Sequence, residues 1–412
     1  QTVDRDRHGL FYRVIKDFEA LTGCPVVVNT SFNLGWDPMV CAPKEAYQTF
    51  MQSGIDALCI GRHLLIKSEQ PAKRAARSMP GADPILADLL RSPCHQVRLV
   101  AEGEQLRCEE CGRRFGSDDG IRQMYIPHQQ ASGRDVTDEV KSFYEEIPFP
   151  NYDDHDTLRS LIDKSRAGVY ARKLDEAIPF NSTVLEVGCG TGQLTNFLGI
   201  SCRRAIGTDL CLNSLRLAEN FRRTHGLEQV RFLQMNLFRP CFAQESFDVV
   251  LCNGVLHHTG DPLGGFRSLV PLVRPGGFVV VGLYNTFGRL MTDARRQLFR
   301  LTRGRLSWID PFLRSRALSA DKRRAWMADQ YFHPHESKHS MGEILGWIDA
   351  AGLEFVRGIP SLDPRVDALA TDDLFDSTQR AGRLARAGAQ VKLAFTSGWE
   401  GGLFIMIARK PK

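Results

Sequence analysis

Val184-Leu185-Glu186-Val187-Gly188-Cys189-Gly190-Thr191-Gly192 constrains this chain more than any other stretch. Two apolar residues lead into a carboxylate and a valine. Three glycines then follow at alternate positions, and helical periodicity begins directly after them. A strand that runs through bare backbone into a helix exposes unpaired N–H groups at the carboxyl edge of a parallel sheet, where a ligand can lie against the main chain. The same pattern of strand, turn and helix recurs downstream. Apolar strands are expected at Arg204 to Thr208, Val230 to Gln234, Phe247 to Cys252 and Gly277 to Leu283. Alternation of this kind predicts a doubly wound, mostly parallel α/β sheet. Leu353 to Ile359 and Gly402 to Ala408 are available to complete it as a Rossmann-like sheet of seven strands.

The glycine spacing bears on the ligand. A dinucleotide turn is usually spaced G-x-G-x-x-G, whereas Gly188, Gly190 and Gly192 are spaced G-x-G-x-G, with Glu186 two residues ahead. This favours a nucleoside ligand without a pyrophosphate. Asp209 ends the second strand, 21 residues after Gly188, where a carboxylate can accept both hydroxyls of a ribose.

Further motifs occur in order. Ser246-Phe247-Asp248-Val249-Val250 enters the fourth strand, Asn253-Gly254-Val255-Leu256-His257-His258 leaves it, and Val273-Arg274-Pro275-Gly276-Gly277-Phe278 precedes the fifth. With these, residues 136–285 resemble a class I S-adenosylmethionine-dependent methyltransferase. The resemblance implies that Glu186, Gly188, Gly190 and Gly192 form the cofactor turn, with Gly188 and Gly190 beside the methionine moiety. It also implies that Asp209 binds the ribose, that Leu210 packs near the adenine, and that Met235, Asn236 and Asn253 belong to the same pocket. Asn236 stands where many relatives have an aspartate, and its amide oxygen can still accept the adenine amino group.

A sulfonium is already an activated methyl donor, so alignment of donor and acceptor supplies most of the catalysis, roughly 7 to 11 kcal/mol. A general base is optional. His257 and His258 leave the fourth strand at the mouth of the site and are the candidate catalytic residues, with packing or helix capping as the alternative. Asp248 and Asp261 read as strand-edge and turn residues. There is no Asn-Pro-Pro-Tyr or Asp-Pro-Pro-Tyr after the fourth strand, which disfavours adenine-N6-type chemistry. Cys241 precedes that strand and so reads as structural rather than nucleophilic.

A helical insertion or lid is expected over 286–345. From Thr286 to Arg324 it carries eleven basic and three acidic residues, a strong bias in a chain whose formal charge is only +5. Such a segment can attract an anionic or carrier-bound small-molecule acceptor, form a solvated face, or grip RNA phosphates. Sparse aromatics make nucleic acid the weaker choice. Tyr331-Phe332-His333-Pro334-His335-Glu336 reads as a turn of the lid that contacts the acceptor.

Upstream, Cys108-Glu109-Glu110-Cys111-Gly112 has the two-residue gap of half a zinc knuckle, and Cys94-His95 precedes it at a strand-and-turn distance. Residues 85–128 are similar to short zinc-ribbon modules found before methyltransferase domains. Ser92 stands where a first cysteine is expected, so the candidate ligands are Cys94, His95, Cys108 and Cys111. A metal-free ribbon is the alternative reading.

The opening 70 residues read as a small α/β fragment, with a strand at Pro25 to Val28 and a second at Ala57 to Ile66, followed by a polar linker over 71–84. Thr22-Gly23-Cys24-Pro25, Asn29-Thr30-Ser31-Phe32-Asn33 and Pro43-Lys44-Glu45-Ala46-Tyr47 resemble the end of natural-product O-carbamoyltransferases. In that family Ser31 and Asn33 would contribute to nucleotide binding. The chain opens at Gln1 and reads as the interior of a longer parent, so the fragment by itself is expected to be inert.

The longest apolar run is far shorter than the ~20 residues that cross a bilayer, which excludes an integral helical membrane protein. Eleven cysteines, scattered along the chain, suit a reducing, cytoplasmic compartment. The organisation expected is therefore 1–70, 71–84, 85–128 and a methyltransferase domain over 136–412. The function expected is methyl transfer to a small molecule of secondary metabolism. An RNA methyltransferase, a scaffold with a vestigial pocket, or one half of a bifunctional carbamoyl and methyl transferase are the alternatives.

Overall fold

The computed structural model of the chain describes residues 2–28, 31–32, 40, 42–53, 55–70, 83, 85–127, 136–146, 157–201, 203–302, 305–314, 319–363, 365, 367–369, 373–396 and 401–412. Asn33, most of the expected linker and the segment 147–152 lie outside these residues. The chain divides into a unit of residues 1–74 and a unit of residues 75–412.

In the first unit, Asp4 caps helix α1 (Arg5–Thr22) by accepting the amides of Asp6 and Arg7, and Gly23 ends it in the left-handed region. Leu10, Val14 and Leu21 on this helix are exposed. Helix α2 (Pro43–Gln52) starts with proline in its first turn, and strands β1 (Ala57–Ile60) and β2 (His63–Ile66) follow. The stretch read as one strand over 57–66 is thus a hairpin, turned at Gly61 with φ +59 and paired Ile60 to His63. The strand expected at Pro25 to Val28 does not form. Val26 and Val28 are exposed, and among the described residues no ladder pairs with this segment, so its β-branched residues have nothing to pack on.

The second unit begins with a three-stranded antiparallel sheet of β3 (Leu99–Glu102), β4 (Gln105–Cys108) and β5 (Arg114–Phe115). Strands β6 (Ser117–Asp118) and β7 (Ile121–Gln123), helices α3 (Thr137–Glu146), α4 (Leu158–Ala167) and α5 (Val169–Ala177), and strand β8 (Thr183–Val187) come next. After them run α6 (Gln193–Ile200), β9 (Arg204–Asp209), α7 (Leu212–Thr224), β10 (Val230–Gln234), β11 (Phe247–Asn253), α8 (Pro262–Leu269) and β12 (Val273–Tyr284). The chain closes through α9 (Leu290–Thr302), α10 (Ala320–Phe332), α11 (Met341–Ala350), β13 (Glu354–Ile359), α12 (Arg383–Thr396) and β14 (Leu403–Arg409).

The main sheet runs β13-β14-β12-β11-β8-β9-β10-β7-β6. Strands β8 to β12 are parallel, while β14 is inserted antiparallel between β12 and β13. The seven expected strands are all present. Two more come from the ribbon segment, because β7 pairs parallel with β10 and β6 pairs antiparallel with β7. Chain order proceeds outward from β8 in one direction through β9 and β10, and in the other through β11 and β12. That reversal leaves a crevice at the carboxyl ends of β8 and β11, the usual ligand position of a doubly wound sheet.

Both faces of the sheet are buried, by Leu185, Val250 and Phe266 on one side and by Val184, Leu251 and Phe197 on the other. This is why the central strands are almost continuously apolar. Leu106, Phe115 and Met124 of the ribbon segment belong to the first of these cores. Among the described residues, no helix is long and apolar enough to cross a membrane.

Candidate functional site

A cavity of about 490 Å³ opens in this crevice. Glu186, Gly188 and Gly190 line it from β8 and its turn, Asp209 from the end of β9 and Leu210 just after it, Met235 and Asn236 from just after β10, and Asn253 from β11. Gly188 and Gly190 have φ of +73 and +52, a conformation that side-chain-bearing residues rarely adopt. A Cβ on Gly188 would also lie 2.2 Å from Val255, so the turn is bare because nothing larger fits.

Asp209 organises this turn. Its carboxylate accepts the amide of Gly190 at 2.8 Å and that of Cys211 at 2.8 Å. Burial raises its pKa, and these amides partly offset the rise. Glu186 accepts the hydroxyl of Thr195, and burial pushes its carboxyl up to about 7. Asn253 donates to the Tyr170 hydroxyl at 3.2 Å, while its own buried amide oxygen has no hydrogen-bond partner among the described residues.

Gly192 does not line the cavity. It packs where α6 meets the sheet, and a Cβ there would lie 2.6 Å from Phe232 and 2.7 Å from Ala218. Its glycine serves helix packing, a need that the alternating spacing does not distinguish from ligand contact.

The two histidines separate as well. His258 lines the cavity and His257 does not. His257 is turned inward within the short helical turn Leu256–His258, with its ring 3.9 Å from that of Tyr284 and both buried ring nitrogens without hydrogen-bond partners among the described residues. Burial drives its pKa well below the ordinary histidine value. The Nδ1 of His258 lies 2.8 Å from the carbonyl of His335. A carbonyl only accepts, so Nδ1 carries the hydrogen and Nε2 holds the lone pair. Burial lowers the His258 pKa to about 4.

Asp248 accepts the Thr183 amide at 2.7 Å and pairs with Arg274, while Asp261 caps α8 through the Gly264 amide. Cys241 is fully buried.

The far wall of the cavity was not legible in sequence. It is built by Lys141 and Tyr144 of α3, by Tyr284 at the end of β12, and by Trp326, Asp329 and Gln330 of α10. The Tyr144 hydroxyl donates to Asp329 at 2.8 Å, and Gln330 Nε2 donates to Tyr284 at 2.9 Å. Helix α10 thus lines the cavity from within the segment 286–345, and part of the basic bias of that segment is internal. Arg289 is fully buried, stacked 3.8 Å over Tyr284, and it and Arg296 both bond to Glu336. Those two cations offer nothing to a surface ligand.

In the ribbon, the ligand atoms of Cys94, His95, Cys108 and Cys111 all lie within 4.8 Å of one another. Cys94 Sγ is 3.5 Å from Cys111 Sγ, and Cys108 Sγ is 3.7 Å from His95 Nδ1. These are close to the edges of a tetrahedron with metal bonds of roughly 2.0 to 2.3 Å. Burial pushes the Cys108 thiol up, yet hydrogen bonds from Ser92 and from the amides of Cys111 and Glu110 outweigh it and hold the thiol at about 6. Ser92 is no ligand. It is fully buried, and its hydroxyl accepts the amides of His95 at 3.4 Å and Val97 at 3.3 Å, which fixes the turn that carries Cys94 and His95.

Residues 185–281 match the family model described as Methyltransferase domain. The chain carries a methyltransferase domain. Residues 1–67 match the family model described as Carbamoyltransferase C-terminus, so this methyltransferase domain follows a carbamoyltransferase segment. An uncharacterized protein of Synechocystis sp. is 42% identical over 73 residues, 18% of this chain and 12% of that one. An uncharacterized protein of Synechococcus sp. is 27% identical over 197 residues, 42% of this chain and 47% of its own. The ubiquinone biosynthesis O-methyltransferase of Bordetella bronchiseptica is 33% identical over 150 residues, 34% of this chain and 60% of that enzyme. The chain thus spans between 12% and 60% of these curated relatives.

Proposed function

We propose that the chain transfers a methyl group from S-adenosylmethionine to a small-molecule acceptor. The observation that carries this reading is the β8 turn, where backbone that tolerates no side chain meets the carboxylate of Asp209 inside a cavity large enough for a nucleoside. In this reading Asp209 receives the ribose hydroxyls with the lone pairs left over from the Gly190 and Cys211 amides. Gly188 and Gly190 flank the methionine moiety, Glu186 faces its ammonium, and Leu210, Met235 and Asn236 surround the adenine.

The buried, unpartnered amide oxygen of Asn253 supplies a further acceptor at the turn. The cofactor supplies a methyl group on a positively charged sulfur. The protein's share is to hold donor and acceptor in line and to exclude water, which α10 does by roofing the cavity. His258 rather than His257 is the histidine in reach of an acceptor.

The matched O-methyltransferase supports an oxygen nucleophile. A role in secondary metabolism is supported by the adjoining carbamoyltransferase segment alone. Equilibrium dialysis with labelled S-adenosylmethionine tests the reading: one site per chain is expected, displaced by S-adenosylhomocysteine.

For the ribbon, the donor set of three thiols and one imidazole suits zinc in a closed, structural site. His95 Nε2 faces Glu110 at 4.0 Å, the outer carboxylate that metal-bound imidazoles commonly have. Cys94, His95, Cys108 and Cys111 would hold the ion. Elemental analysis of the purified chain tests this, with one zinc per chain expected and none after Cys108→Ser.

A further inference from the structure

Asp329 is a buried carboxylate, 4% exposed, on the roof of the cavity. One oxygen accepts the Tyr144 hydroxyl at 2.8 Å, and the other accepts Gln330 Nε2 at 2.9 Å. Both donors are neutral, and among the described residues no cation pairs with Asp329. A buried carboxylate so placed is costly unless a ligand offers it a proton or a positive charge.

The neighbouring cation is not available to it. Arg289 is committed to Glu336, to the Gly401 carbonyl at 2.8 Å and to Gln330 Oε1 at 2.7 Å. That last bond fixes the Gln330 amide, with oxygen toward Arg289 and nitrogen toward Asp329 and Tyr284. Tyr144 has a single hydrogen to give. The carboxylate is therefore aimed from two sides and keeps lone pairs for the cavity.

His258, which also lines the cavity, is the weaker candidate. Its ring lies against that of His333, with centroids 3.6 Å apart and planes tilted by 32°, and burial makes it a poorer proton acceptor than an ordinary histidine. Burial acts on Asp329 in the opposite sense, raising its affinity for a proton.

We propose that Asp329, oriented by Tyr144 and Gln330, takes the proton from the acceptor's reacting group, which makes the acceptors of this enzyme hydroxyl or amine nucleophiles. This rests on the methyl-transfer reading above. In the step, a lone pair of the acceptor oxygen or nitrogen forms the bond to the methyl carbon. The carbon–sulfur bond breaks with its electron pair going to sulfur, leaving a neutral thioether, and the acceptor's proton passes to the Asp329 carboxylate. No other reactant is needed. Tyr144 and Gln330 are positioning residues.

The test uses two cofactor analogues and the whole chain. Sinefungin carries a protonated amine where the sulfonium methyl stands, and S-adenosylhomocysteine carries nothing there. By calorimetry, sinefungin is expected to bind at least tenfold tighter than S-adenosylhomocysteine. In Asp329→Asn that advantage falls to threefold or less, while S-adenosylhomocysteine affinity stays within threefold of the unaltered chain. Tyr144→Phe, which removes one of the two aiming bonds, lowers the advantage to an intermediate value. Equal binding of the two analogues by the unaltered chain, or a full advantage retained in Asp329→Asn, overturns the proposal. If a folded chain binds neither analogue, the methyl-transfer reading itself fails, an outcome distinct from loss of the sinefungin preference alone.

Discussion

The Asp209 carboxylate accepts the backbone N–H of Gly190 at 2.8 Å, so the last residue of one strand holds open the glycine turn of its neighbour. A residue read in sequence as a ribose ligand is therefore also part of the scaffold. Replacing Asp209 by alanine leaves two buried amides, those of Gly190 and Cys211, without acceptors, a cost of about 1–3 kcal/mol for each such group. Asp209→Ala is expected to lower the melting temperature, whereas Asp209→Asn keeps an accepting oxygen and melts closer to the unaltered chain. Thermal unfolding of both variants checks this.

Gly192 makes a different demand. A methyl group there meets Phe232 and Ala218 under 3 Å and sits at φ +72. Overpacking of this sort costs about 1–3 kcal/mol. Gly192→Ala is expected to reduce stability by that amount in urea unfolding.

His257 offers a gain. Its ring nitrogens are buried and unpartnered beside Tyr284, so His257→Phe removes a desolvation penalty and keeps the ring contact. Stability is expected to rise by about 1 kcal/mol with cofactor affinity unchanged. A loss of cofactor binding would return His257 to the site.

Glu186 couples stability to pH. Burial raises its folded pKa to about 7 from 4.5, so the folded state holds the proton more tightly than the unfolded chain. Stability is full below pH 4.5 and falls as pH rises toward 7, by an amount on the order of 2–3 kcal/mol. Glu186→Gln lacks this loss, so its stability relative to the unaltered chain should improve between pH 4.5 and pH 8. Urea midpoints at the two pH values decide it.

The ribbon reaches the cavity through one main-chain bond and one bond from the Asn236 side chain. Met124 donates to the Gln234 carbonyl at 2.8 Å, and Asn236 donates to the Ile126 carbonyl at 3.2 Å. Removing metal with a chelator, or substituting Cys108→Ser, is expected to lower the melting temperature and to weaken S-adenosylmethionine binding severalfold. Intact cofactor affinity in a metal-free, folded chain would show that the ribbon only decorates the sheet edge.

Near one wall of the site, sequence was informative because its constraints are local. Strand β8, its glycines and Asp209 lie within 27 residues, and period and spacing express them directly. The opposite wall was silent because Tyr144 and Asp329, which bond to each other, are 185 residues apart and each sits in a helix with no motif to mark it. Pattern also gave no means of separating His257 from His258, whose difference is one rotation about the chain. Arg289 was read with its basic neighbours as surface charge, since only the fold reveals that Glu336 neutralises it inside. The extra strands β6 and β7 are short, and a run of two or three residues carries no detectable periodicity.

The most direct test of the account is calorimetric titration of S-adenosylmethionine into the purified chain and into Asp209→Asn, which keeps an oxygen for one of the two turn amides and gives up the charge. The account predicts a single saturable site in the chain and at least a tenfold weaker one in the variant. No binding by a chain shown to be folded by circular dichroism, or equal binding by the two proteins, would contradict it.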